Sequence, residues 1–152
     1  MTEGERLAEF SEWVRESRLK RFKQVASGDR GWRPAGGRLS FVDILKHLCD
    51  ADRWIMAILK NQKQIPRAGV KPGDGEPEEW DNYLSGLESL GKEKAELLKK
   101  MPESEWSREV GDWEVMGKTT KWLILVRGNL DHEIHHRGSL QTMLNLKYKA
   151  EK

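Results

Sequence analysis

Four stretches of this chain repeat their apolar residues every three to four positions, and none alternates them long enough to supply a set of strands. That period restricts the chain to packed amphipathic helices, an all-α fold of four-helix-bundle type. The first stretch covers about residues 5–24, with Leu7, Phe10, Val14, Phe22 and then Val25 on one face. Ser40 opens the second as an N-cap. Asp43, three positions on, can return a bond to the cap and complements the helix dipole. Phe41, Ile44, Leu48, Ala51, Trp54, Ile55 and Ile58 form its inward arc. The third, 78–101, carries Trp80, Tyr83, Leu84, Leu87, Leu90, Leu98 and Met101, is weakened by Gly86 and Gly91, and stops at Pro102. The fourth is capped by Thr119 or Thr120 and runs to about residue 146, which at roughly 1.5 Å per residue makes it the longest rod in the domain.

The connections are marked by breakers. Ser27-Gly28-Asp29 ends the first helix, and residues 30–38 form a turn-rich loop around Trp32. Residues 66–77, with Pro66, Pro72 and Pro77 among glycines, read as a connector that can double as a lid. Residues 103–119 lack a helical period, and 110–115 suit a short hairpin or an irregular loop.

Composition then removes several classes of function. At 152 residues the chain fits one domain, 1–152, with its own core. Its 27 basic and 25 acidic residues are dispersed, which argues against a nucleic-acid footprint or an anionic membrane surface. No apolar run approaches the roughly 20 residues of a membrane span. The opening Met-Thr-Glu-Gly-Glu-Arg leads into an amphipathic segment, and the lone cysteine, Cys49, has no internal disulfide partner, so a cytoplasmic protein is expected. Cys49 reads as core filler, with a weaker case as a ligand or reactive thiol. The seven tryptophans read as core and pocket walls, with Trp32 and Trp54 as candidates for contacting substrate.

The chemistry lies in residues 129–138, which hold three of the four histidines. His132 and His136 are one helical turn apart, on a stripe with Leu125, Asn129, Ser139, Met143 and Leu146. Buried singly, an imidazole is a satisfied core residue; two on one stripe compete for few polar partners, whereas one metal ion satisfies both. His47, inside the apolar arc of the second helix, supplies a third nitrogen. Three neutral imidazoles with a position left for water form the open arrangement of catalytic sites. Such a donor set suits zinc, nickel, manganese or iron, and can lower the pKa of bound water toward about 7 or hold a thiol as thiolate. Asp50, Asn129 and Glu133 are candidates for the outer partners of the imidazoles. Glu133 and His135 are candidates for moving protons, with a rim position as the alternative for His135. The run His132-Glu133-Ile134-His135-His136 also matches the H-E-x-x-H helix of zinc peptidases. Ser139 and Thr142 stand where the extended form of that motif has Gly and His, so the peptidase reading ranks last.

Two segments resemble the signatures of the DinB/YfiT-like superfamily. They are Ser40-Phe41-Val42-Asp43-Ile44-Leu45-Lys46-His47-Leu48 followed by Asp52-Arg53-Trp54, and the run from Asp131 through His132, His136 and Gly138 to Leu140. The resemblance implies an up-down-down-up four-helix bundle, often a homodimer, with a divalent metal on His47, His132 and His136. It also implies small-molecule chemistry: transfer or isomerisation using a low-molecular-weight thiol such as bacillithiol, mycothiol or glutathione, or metal-dependent hydrolysis. A non-catalytic, dimeric helical interaction module is the alternative, with the histidines as core.

Overall fold

The computed structural model describes residues 1–62, 69–113 and 117–149. Three long helices, α1 (Glu3–Phe22), α2 (Phe41–Leu59) and α3 (Trp80–Lys100), precede a hairpin of β1 (Glu109–Trp113) and β2 (Gly117–Thr120). The fourth rod is composite: α4 (Lys121–Leu125), a π turn over Val126–Leu130, α5 (Asp131–Leu144) and a second π turn over Asn145–Lys149. Its interruptions are absent from the expected single α-helix.

Local chemistry sets the helix starts. Thr2 and Glu5 form a reciprocal cap on α1, Ser40 and Asp43 form the same box on α2, and the Thr120 hydroxyl accepts from the Leu123 N–H at the head of α4. The hairpin pairs Glu109 with Thr120 and Val110 with Thr119, so 110–113 is strand; residues 114–116 of the expected turn lie outside the described residues, as do 66–68 of the connector.

Side-chain pairs fix the topology. Gly4 lies against Leu98 and Arg15 reaches Leu87, so α1 and α3 are antiparallel. Cys49 meets Tyr83 and Lys60 meets Glu93, so α2 and α3 are parallel. Glu3 bonds Trp122 and Arg21 bonds Gln141, so the fourth rod runs with α1. Lys121 bonds Leu59 and His132 meets His47, so it runs against α2. This is the up-down-down-up bundle. Two parallel neighbours force the chain to travel back along the bundle, which is why the α2–α3 connection is long. Its end is docked: the Gly73 and Gly75 N–H groups donate to the Asp43 carboxylate at 3.1 and 2.8 Å. A Cβ on Gly75 would stand 2.5 Å from the Val42 carbonyl, so only glycine allows that approach.

Phe22, Phe41, Leu45, Ile55, Leu87, Leu98, Leu125 and Leu140 are solvent-free in one continuous core. Several expected core residues are outside it. Phe10 is 42 % exposed because it sits at the edge of an arc centred on Val14 and Arg18, and Leu146, inside the second π turn, is 51 % exposed on the wall of an open cleft. Among the tryptophans, Trp54, Trp80 and Trp106 are buried, but Trp13 and Trp122 are exposed rather than walls. No described helix is long and apolar enough to cross a membrane.

Candidate metal centre

α2 and α5 cross so that His47 faces the His132–His136 turn. His47 and His136 are buried and His132 is partly so. The Nε2 atoms of His47 and His132 are 3.0 Å apart, and those of His136 and His132 also 3.0 Å. The three rings stand nearly perpendicular to one another, at 76–82°, with centroids 4.4–5.1 Å apart. One donor nitrogen of each residue lies within 4.8 Å of the others.

This donor set fits a metal. A neutral imidazole nitrogen without hydrogen has one in-plane lone pair, so His132 Nε2 cannot serve two ring neighbours at 3.0 Å equally well. Three nitrogens bound tetrahedrally at about 2.0–2.1 Å from one ion would be about 3.3 Å apart, within a few tenths of an ångström of these separations. Burial, aided by the charges of His132, His47 and Arg18, pushes His136 down to about 2, so it is held as the neutral base that ligation needs.

The neighbouring residues divide between the triad and a second buried cluster. Arg15 on α1 donates from Nη2 to Asp52 Oδ2 and Glu133 Oε1, each at 2.7 Å, from Nε to Glu133 Oε2 at 3.1 Å, and from Nη1 to the Leu87 carbonyl at 2.6 Å. Lys94 on α3 donates to Asp52 Oδ1 and Asn129 Oδ1, both at 2.9 Å. The cluster thus ties all four helical rods together. Burial alone would raise both carboxyls, but Lys94 and Arg15 outweigh it at Asp52, and Arg15 and Lys94 at Glu133, holding both below their ordinary range. Gly91, read as a weak point of α3, leaves room here, since a Cβ would stand 2.7 Å from Arg15 Nη1.

Two of the candidate residues lie in this second cluster. Glu133, a candidate catalytic base and outer partner, gives both oxygens to Arg15, because it lies about 100° around the helix from His132. Asn129 bonds Lys94 and Asp52 rather than an imidazole. Asp50 pairs with Lys46 at 2.8 Å and Arg53 at 3.2 Å, on the rim of a recess that also exposes His47. Trp32 packs on Phe41 with centroids 5.5 Å apart, and Trp54 is buried in the core. Cys49 is core filler: its thiol donates to the Tyr83 carbonyl and burial pushes it up to about 12.

His135 is exposed, its ring centroid 5.3 Å from that of His136. Both border a cleft of about 690 Å³, walled by Leu39, Ile44, Met143 and Leu146 with Arg38 at its edge. The size suits a small organic molecule. Sequence reasoning missed this cleft, whose walls come from the 30–38 loop region and two helices. It also missed Arg15, Arg18, Asp52 and Lys94. Their signal was present, for Arg18 sits midway between Val14 and Phe22 on an apolar stripe, and Lys94 between Leu90 and Leu98.

Sequence comparison adds a family to this geometry. The chain is 22 % identical over 119 residues to the uncharacterized protein YjoA of Bacillus subtilis (strain 168), covering 78 % of this chain and 73 % of that one. The profile of the DinB superfamily matches residues 11–140, a span that begins inside α1 and takes in His47, His132 and His136. With a four-helix bundle around a three-histidine cluster, and that profile covering most of its length, this chain belongs to the DinB superfamily.

Proposed function

We propose that this protein is a metal-dependent enzyme acting on small molecules, in which His47, His132 and His136 hold one divalent ion. The observation that carries the reading is the convergence of three ring nitrogens, 3.0 Å apart in successive pairs, beside a cleft sized for an organic molecule. When bound, the ion makes a water or a thiol available as an anion near neutral pH. Transfer to a low-molecular-weight thiol is the favoured reaction, by the family resemblance; hydrolysis is the other outcome of the same centre. Zinc, nickel, manganese and iron all suit the donor set.

The chain's own residues have separate tasks. His47 and the α5 pair bind the ion, with burial keeping His136 neutral. The cleft orients the substrate's apolar body along Leu39, Ile44 and Met143. His135, at its edge, takes or gives a proton. The Arg15–Glu133 contact fixes the rotation of α5, and so the direction of both imidazoles.

Elemental analysis of protein purified without a nickel column tests this. Wild type is expected to carry about one divalent ion per chain, and His132→Ala and His136→Ala essentially none. Equal, negligible content in all three would overturn the reading and leave a helical interaction module. Thiol consumption with bacillithiol or glutathione and an added electrophile, with and without chelator, then separates transferase from hydrolase.

A further inference from the structure

Among the described residues, Arg18 is a fully buried charge that neither cluster pairs. It has no solvent exposure, and its Nε, Nη1 and Nη2 have no hydrogen-bond partner among the described residues. A guanidinium presents five donors in a planar fork and keeps its charge at neutral pH; burying it without a partner is among the costliest arrangements a core can hold. Burial pulls Arg18 down to about 10, well above neutrality, so the charge stays.

Its place follows from the register of α1 on α5. Arg15 contacts Glu133 and Arg21 contacts Gln141, so Arg18, on the same inward face, lies level with residues 136–137. Its charge accordingly acts on His136, and that of Arg137 acts on it. Among the described residues, neither buried carboxylate of the bundle centre is spare. Glu133, whose charge acts on Arg18, has both oxygens on Arg15, and Asp52 has its oxygens on Arg15 and Lys94. With Arg15 and Lys94 balanced by Asp52 and Glu133, Arg18 is an excess positive charge beside the triad, and a divalent ion there adds two more.

We propose that Arg18 receives a carboxylate of the molecule that binds at the histidine triad, an inference that rests on the metal reading above. One turn away the protein shows the same partnership made internally, where Arg15 grips Glu133 through Nε and Nη2. The ligand supplies to Arg18 what Glu133 supplies to Arg15. Fork-to-carboxylate bonds are both stronger and more directional than neutral ones, so the residue selects acidic ligands over neutral ligands of like size.

The test uses full-length protein loaded with cobalt(II), whose visible spectrum reports ligand binding at the triad. Mercaptopropionate and mercaptoethanol compare a thiol with and without a carboxylate, and acetate and inorganic phosphate compare the two oxyanions alone. Wild type is expected to bind mercaptopropionate about tenfold or more tighter than mercaptoethanol, and acetate in preference to phosphate. Arg18→Met should reduce the thiol preference to near parity while retaining one cobalt per chain. Because no hydrogen bond is lost, Arg18→Met should melt no lower than wild type in chelated protein; if it misfolds, Arg18→Gln carries the same comparison. An unchanged thiol preference in the variant, no preference in wild type, or phosphate binding above acetate would each overturn the assignment. Absence of cobalt uptake by wild type would instead sink the metal reading, and this inference with it.

Discussion

The bundle interior holds two polar clusters on successive residues of α5, and they are built on opposite principles. Glu133 belongs to a group in which two cations meet two anions and an amide, with partners at 2.6–3.1 Å. His132 belongs to a group of three bases facing one another. The first is complete within the chain and locks the helices together. The second brings three bases together with no acid among them. The first is the more deeply buried, with His132 of the second partly exposed, and the balance of donors and acceptors differs between them as well.

The largest effect should come from opening the complete cluster. Glu133→Ala leaves Arg15 buried with half its countercharge and should cost about 3–5 kcal/mol. At roughly 2–4 °C per kcal/mol for a chain of this size, the melting point of chelated protein should fall by about 10 °C. His132→Ala should cost much less in the same assay, and equal losses would erase the contrast. A smaller effect should appear with pH. His136 is held far below the ordinary value of about 6.5, so the unfolded chain takes up the proton first. Stability from this residue is therefore complete above about pH 6.5 and declines as pH falls, by roughly 1–2 kcal/mol between pH 7 and pH 5. His136→Leu should flatten that part of the curve in denaturant titrations of chelated protein, and an unchanged slope would show that the triad is not held neutral. The smallest effect calibrates the others. Ser40→Ala removes the cap on α2 and should cost about 1 kcal/mol, equally with and without metal.

The parts legible in the sequence were those set by short-range rules. Helical period, the Ser40–Asp43 box and the four-residue spacing of His132 and His136 each depend on a handful of neighbouring residues, and each appears where expected. That His47 meets the pair required α2 and α5 to be neighbours, which its place inside an apolar arc suggested and the resemblance then implied. The contacts of Glu133 and Asn129 were not legible because spacing alone does not say which charge waits across the bundle; Arg15 and Lys94 lie 118 and 35 residues away in their contacts with them. Leu146 was misplaced because a helical period does not announce the open cleft that its side chain walls.

A π turn stands just before His132 and His136, at Val126–Leu130. It holds one residue more than an α-helical turn of the same reach, and so works as a phase adjuster between the hairpin-anchored start of the rod and its histidine-bearing half. Deleting one residue there would remove that surplus and let the rod close into uninterrupted α-helix with its two halves near their present phase. With Lys121 pinned to Leu59 and Glu105, the imidazoles of α5 would still face His47, so the turn takes up an extra residue without disturbing their convergence.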